Sequence, residues 1–153
     1  MSIDCTFTVP MEPKPKGRPR VSVRAGKPHG YTPAATRKWE ADFSTIAAAH
    51  MPRDVVDEPV RVDLLFVLPR PKRLMRKMDP DGLIWAPARP DRDNLEKAVL
   101  DAMKTCWRDD SLVVCGETLK CYAERTGRAR VVCRVRSADA DPWFKAFSLG
   151  LAK

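Results

Sequence analysis

Val60, Val62, Leu64, Phe66 and Leu68 alternate along one segment, and Leu65 and Val67 make its second face apolar as well. A period of two marks an extended strand. Apolar residues on both faces call for cover on both sides, so this segment reads as the central strand of a sheet. Its uninterrupted apolar run, 64–68, is far shorter than the roughly 20 residues a membrane span needs. The rest of the chain has to supply neighbours and cover for this strand.

Those neighbours are legible in outline. Ile3, Cys5, Phe7 and Val9 alternate with polar residues as in a half-buried strand, which Pro10 ends. Residues 12–20, rich in Pro, Lys and Arg, are not helical, and Val21 and Val23 suggest a short strand turned by residues 26–30. Thr32 followed by Pro33 is a helix start signal with Pro at the first helical position. Trp39, Phe43, Ile46 and Ala47 then recur at helical spacing to about Ala49, before Pro52. The stretch 69–90 carries five prolines, at 69, 71, 80, 87 and 90, and reads as a long irregular loop; such loops are usually functional or disordered. A second helix is expected from about Asn94 to Cys106, with Leu95, Ala98, Val99, Ala102, Met103 and Cys106 as its apolar stripe and Lys97, Asp101 and Lys104 away from it. Residues 113–125 and 128–136 read as a hairpin around Thr126 and Gly127. In its second strand Val131, Cys133 and Val135 oppose Arg130, Arg134 and Arg136.

The order is strand, strand, helix, strand, helix, strand, strand: an α+β fold with a single-layer, small mixed β-sheet and two main helices. The 153 residues suffice for one domain with a core, not two. We place that domain at residues 1–137. Residues 138–153 are a C-terminal extension whose Trp143, Phe144, Phe147, Leu149 and Leu151 cover the core or a dimer partner.

Twenty-eight Lys and Arg face 20 Asp and Glu, giving a formal charge of +8 and a pI near 9.5. That is the electrostatic footprint of a nucleic-acid binder, although a merely soluble basic protein has it too. The cations gather in two segments: Lys14, Lys16, Arg18, Arg20, Arg24 and Lys27, then Arg70, Lys72, Arg73, Arg76 and Lys77. Either segment is a phosphate-binding surface or a solvated one. Tyr31, Trp85 and Trp107 are candidates for base stacking, with Trp107, at a helix end, read as core. Five cysteines without a C-x-x-C pair, and only two histidines, argue against structural zinc. Four of these cysteines fall in strand-like segments, where a free thiol behaves as a small apolar group. The residues after Met1 do not resemble a signal peptide, and a reducing cytoplasm is the expected compartment.

On this basic chain the carboxylates cluster. Asp91 and Asp93 precede the second helix, and Asp109 and Asp110 follow it. Two residues apart on an extended segment, Asp91 and Asp93 would point the same way about 6.6 Å apart and repel by about 2–3 kcal/mol. A hard divalent cation such as Mg²⁺ offsets that repulsion and takes water and phosphate as its other ligands. Asp110 becomes a third ligand if the strand after the helix returns antiparallel. Such an ion activates water and neutralises a reacting phosphate. Lys97 can reach a phosphate oxygen or the attacking water, and Asn94 can bond DNA or orient an aspartate. The plainer reading is also open: Asp93 with Glu96 forms a D-x-x-E cap, Lys97 pairs on the surface with Asp93 or Asp101, and Asp109 and Asp110 are a turn.

The string Arg92, Asp93, Asn94, Leu95, Glu96, Lys97, then Asp101 and Ala102, then Trp107, Arg108, Asp109 and Asp110 resembles the RusA family of Holliday-junction resolvases in order and spacing. That family carries D-x-D-N-x-x-K, a D-A pair in the same helix, and an aromatic residue before a D-D pair. Pro15, Lys16, Gly17, Arg18, Pro19 and Arg20, and Tyr31, Thr32 and Pro33 before a helix, resemble its phage-borne members; cellular and viral origins both stay open. The resemblance implies Asp91, Asp93 and Asp110 as metal-binding catalytic carboxylates and Lys97 as the catalytic lysine. It also implies Mg²⁺ or Mn²⁺ as cofactor and a homodimer that nicks opposed strands of a four-way junction in recombination and repair. Here Pro90 precedes Asp91, and the basic residues lie at Arg89, Arg92 and along 70–77. With them, Lys14, Lys16, Arg18, Arg20, Arg70, Lys72, Arg73 and Asn94 are expected to touch DNA.

A broader branched-DNA or flap nuclease is the alternative within enzymes, and a non-catalytic architectural DNA binder the alternative outside them. The chain lacks a Walker-type phosphate loop, and nothing marks a nucleophilic Ser or Cys.

Overall fold

The computed structural model describes residues 2–149 of the chain. Strand β4 (Val60–Leu68) is the centre of the main sheet. On one edge it pairs antiparallel with β8 (Arg130–Ser137), which pairs antiparallel with β1 (Asp4–Val9). Along its other edge run β6 (Val113–Cys115) and then β7 (Thr118–Tyr122), both parallel to it. A two-residue strand β5 (Ile84–Trp85) finishes that side. The register shifts between Val60 and Arg61, whose partners Val113 and Cys115 leave Val114 as an extra residue. A β-carbon on Gly116 would stand 1.9 Å from the Val62 carbonyl oxygen, so only glycine admits this close approach.

The α+β class, the mixed sheet and both main helices are as expected; the pairing at the C-terminal end is not. Residues 113–125 and 128–136 do not form a hairpin, because β4 lies between β7 and β8. The Thr126–Gly127 turn is there, with the Gly127 N–H bonded to Glu124 O at 2.9 Å, but the chain crosses to the other edge of β4. A hairpin would have left β4 at an edge with one row of backbone groups unpaired. A second difference lies near the N-terminus. Arg20–Arg24 (β2) and Lys27–Tyr31 (β3) form a separate two-stranded ribbon, turned by Ala25 and Gly26, both at positive φ. Two consecutive positive φ values mark the tight hairpin turn that suits twisted strands.

Helix α1 (Ala34–His50) and helix α2 (Arg92–Met103) lie on the same face of the sheet. Their buried residues share one core with alternate residues of β1, β4 and β8: Trp39, Phe43 and Ala47 from α1, Leu95, Ala98, Val99, Ala102 and Met103 from α2. Pro33 stands just before α1 rather than inside it. Between β4 and β6 the chain makes a strand–helix–strand crossover, so β6 returns antiparallel to α2. The thiol of Cys133, fully buried on β8, is pushed up to about 12 by that burial. All five cysteines are free.

The opposite face of the sheet is covered less than its apolar residues suggest. Val67 is buried there, but Leu65 is only half-buried, and a lattice of ion pairs spans the rest. Asp63 on β4 accepts from Arg61 Nε at 2.8 Å, Arg136 at 2.7 Å and the Glu117 N–H at 2.9 Å. Arg61 also pairs with the buried Asp141, whose carboxylate accepts the Phe144 N–H at 2.9 Å at the start of α3 (Pro142–Ser148). Arg130 pairs with Glu124 at 2.7 Å and holds its carboxyl down to about 2. Long arginine stems thus do part of the covering that a second apolar layer would do. Of the expected tail residues, Leu151 and the Phe147 side chain lie outside the described residues, while Trp143 and Phe144 are exposed.

Burial raises the Asp63 carboxyl, but Arg136, the Glu117 N–H and Arg61 outweigh it and hold it below 3.8. Its contribution is therefore present above the unfolded value and lost as pH falls through the folded one. Asp63→Asn should cost about 1–2 kcal/mol at pH 7, and thermal melts should show this gap closing as pH falls below the ordinary carboxylate range. A gap that stays constant with pH would show that the charge of Asp63 contributes nothing.

Candidate active site

Helix α2 begins at Arg92, between the two aspartates of the D-x-D pair. Asp91 is the residue before the helix, extended at φ −69° and ψ 144°, and Asp93 is in the first turn. The pair is therefore not a single extended segment pointing one way. Asp93 is not the helix cap either, and the cap position, Asp91, makes no side-chain cap hydrogen bond. Both carboxylates are exposed. At the positive end of the helix dipole they are favoured as anions, and among the described residues neither has an ion-pair partner.

From Asp93 the exposed edge of α2 runs through Glu96, Lys97, Leu100 and Asp101, neighbours at helical spacing. These residues line one cleft of about 320 Å³ with Trp107, Asp110 and Val113 from the returning chain. Asp93, Lys97 and Asp110 are thus brought together. Asp91 lines the adjoining cleft, of about 670 Å³, with Lys14, Arg18, Arg89 and Asn94. The two clefts flank the start of α2, with Asp91 and Asn94 in one and Asp93 in the other.

Asp110 owes its position to Trp107. Val56 grips the chain on both sides of the indole, its N–H bonding Cys106 O at 3.0 Å and its carbonyl accepting from Arg108 N at 2.9 Å. Trp107 is 2% exposed, a core residue as expected, yet its Nε1 donates to Asp110 Oδ1 at 3.2 Å. The D-D pair divides its work. Asp109 accepts the Ser111 N–H at 2.8 Å and caps a single 3₁₀ turn, Asp110–Leu112; Ser111, through its hydroxyl and its N–H, holds the Asp109 carboxyl below its ordinary range. Asp110 stays exposed and faces the cleft.

The basic residues divide as well. Lys14, Arg18, Arg20, Lys72, Arg73 and Arg89 are exposed. Lys16 is not available in the same way: its Nζ lies 2.6 Å from Glu40 and 2.7 Å from Asp101, and its N–H bonds Asn94 O at 3.0 Å. Burial works against its charge, but Asp101 and Glu40 outweigh that and raise its pKa above the ordinary lysine value. Lys16 straps the N-terminal segment to both helices. Arg70 bonds backbone carbonyls of its own loop, and Arg92 donates to Thr118 O at 3.3 Å. Sequence reasoning also missed Lys120, whose Nζ bonds Ala88 O at 2.6 Å and Pro90 O at 2.7 Å and so fixes the approach to Asp91. No sequence signal marks it, since it is one lysine in a strand.

Among the described residues no three Asp, Glu, His or Cys side chains converge as a ready-made metal cage. What the cleft offers is hard oxygen donors, Asp93 and Asp110, with Asp91 in the adjoining cleft. One or two carboxylates with water and phosphate oxygens are the usual complement of Mg²⁺, so the donor set fits such an ion. No helix of the described chain is long and apolar enough to cross a membrane.

The family described as Endodeoxyribonuclease RusA matches residues 10–135. The chain is also 35% identical over 143 residues to the uncharacterized protein YqaN of Bacillus subtilis (strain 168), covering 89% of this chain and 100% of that one.

The division among the lysines is directly testable. Lys16→Ala should lower stability by about 1–2 kcal/mol in thermal melts, since it leaves Glu40 and Asp101 without their cation. Lys14→Ala and Arg18→Ala should stay within about 0.5 kcal/mol. Equal melts for all three would show that Lys16 is not a strap.

Proposed function

The chain belongs to the RusA family of endodeoxyribonucleases, and from that premise we propose that it resolves four-way (Holliday) DNA junctions by paired phosphodiester hydrolysis in recombination and repair. The observation that carries this reading is the single cleft shared by Asp93, Lys97 and Asp110 on a protein of formal charge +8. A polyanion is attracted to the protein as a whole, and within it the acidic cleft is suited to a cation held against a phosphate.

In this reading Asp93 and Asp110, with Asp91 from the adjoining cleft, would hold Mg²⁺ or Mn²⁺. Bound there, the ion would activate a water and neutralise charge on the reacting phosphate. The chain's own residues do the rest. Lys97, four residues after Asp93, meets a phosphate oxygen. The Trp107 N–H fixes the position of the Asp110 carboxylate. Asn94 bonds the DNA beside the cut. Lys14, Arg18, Arg20, Lys72, Arg73, Arg89 and Arg92 take phosphates of the arms. Each neutralised phosphate releases counterions, so affinity should fall steeply with salt. Lys16 and Arg70, expected in the same role, act indirectly by shaping the segments that carry these cations.

Opposed nicks require two sites, and each chain carries one such cleft, so the acting species is a homodimer. The nuclease domain is residues 1–137, with 138–153 appended to it. The working compartment is the cytoplasm, where the DNA is and where five free thiols persist.

Asp93→Asn should abolish cleavage while leaving junction affinity within a few-fold, because it removes a charge from the cleft and little else. Lys97→Ala should leave the melting temperature unchanged and slow cleavage by about 10²-fold or more, as loss of one preorganised cation or donor typically does. Full activity in the Asp93 variant would sink the metal role, and a sharp drop in melting temperature for the Lys97 variant would make that residue structural.

A further inference from the structure

Between β4 and α2 the chain keeps a long loop in one shape and leaves apolar side chains in water on its surface. Two arginines hold the shape. Arg70 donates through Nε to Leu74 O at 2.8 Å, and through its two terminal nitrogens to Gly82 O at 3.3 Å and to Pro80 O. Arg125, from the turn after β7, donates to Met75 O at 2.9 Å, Arg76 O at 3.0 Å and Asp79 O at 2.6 Å, and pairs with Asp81 at 2.6 Å. Its N–H also bonds Asp81 O at 2.9 Å. Charge-assisted bonds of this kind are stronger than neutral ones. They oppose a large loss of chain entropy in a segment with little core of its own, which points to something the loop has to present.

What it presents is an exposed indole on a loop that also carries exposed cations. Trp85 is 69% exposed, while Lys72, Arg73 and Lys77 on the same loop are exposed too. The indole is not on a floppy tip. It sits on β5, paired opposite Cys121; the next N–H, of Ala86, bonds Lys120 O at 3.3 Å. Lys120 Nζ then ties down Ala88 and Pro90. The chain from Trp85 to Asp91 is therefore held along β7, and the Trp85 backbone lies within ~20 Å of the start of α2, the reach of six extended residues.

An exposed aromatic face on a basic loop is a stacking platform for a nucleic-acid base. In a continuous duplex every base already has neighbours on both faces. A free face occurs where the stack is interrupted, as at a branch point. We propose that Trp85 stacks on an unstacked base at the branch point of the DNA, with Lys72, Arg73 and Lys77 on the flanking phosphates, and that this contact makes the protein favour branched over linear DNA. The inference rests on the nuclease reading and adds the residue that selects the substrate.

The test is binding of a synthetic four-way junction and of a linear duplex of equal length, both in EDTA so that neither is cut. Trp85→Ala should weaken junction binding about ten-fold or more and leave duplex binding within about two-fold, and Trp85→Phe, which keeps an aromatic face, should recover most of the loss. A second readout is acrylamide quenching in a Trp143→Phe background, where Trp85 is the exposed indole because Trp39 and Trp107 are buried. The junction should protect it and the duplex should not. An unchanged ratio of junction to duplex affinity in Trp85→Ala, or an equal loss on both DNAs, overturns the platform and leaves the nuclease reading intact. If the unaltered protein binds neither DNA, the nuclease reading fails and the platform fails with it.

Discussion

Helix α2 has one side in the core and the other at the chemistry, and the site depends on that division. Leu95, Ala98, Val99, Ala102 and Met103 are buried against β4, β8 and α1, and each buried side chain of this kind stabilises by about 1–3 kcal/mol. Once that stripe is anchored, the rotation of the helix about its axis is set. Asp93, Lys97 and Asp101 then fall along the opposite edge at spacings of four residues. The crossover connection supplies the second wall, because a chain leaving α2 to lie parallel to β4 must return beside the helix. It brings Trp107 into the core and Asp110 to the cleft in the same step. A slip of α2 by one residue would turn the carboxylates away and bury a charge.

Electrostatics is arranged around that geometry in two ways. Many charges of the protein are committed. The lattice of Arg61, Asp63, Arg136 and Asp141 holds the open face of the sheet, and Lys16 binds Glu40 and Asp101. Among the described residues Asp91, Asp93 and Lys97 have no ion-pair partner, and the Asp110 side chain bonds only the indole N–H. Carboxylates left exposed on a protein with an excess of cations are costly neighbours to one another unless a cation joins them. A nearby polyanion raises that demand further. The proposed function gives this arrangement a purpose that the stability of the fold does not require.

Much of this was readable from residues alone, and the exceptions have physical causes. The central strand and both helices announce themselves by period, because burial on one face is written locally. Trp107 reads as core for the same reason. The partner of each strand is not written locally: β7 and β8 look like a hairpin from their sequences, and only the need of β4 for two neighbours separates them. Helix α2 starts three residues before its apolar stripe, since the first turn of a helix needs no buried residue, and so Asp91 and Asp93 open into different clefts. Lys16, Lys120, Arg70 and Arg125 were the least legible. A lysine or arginine that braces carbonyls or distant carboxylates has the same sequence signature as one in water. The D-x-D, the lysine and the D-D pair were legible as a set of candidates, while the split of roles between Asp109 and Asp110 required the turn itself.

The most direct test of the central claim is a cleavage assay on a synthetic four-way junction beside a linear duplex, with Mg²⁺ and with chelator. The account predicts symmetrical nicks in opposed strands of the junction, none in the duplex, and no nicks once the ion is chelated. Tight junction binding without cleavage in Mg²⁺ or Mn²⁺ would contradict it and leave a DNA-binding protein whose cleft of carboxylates is not an active site.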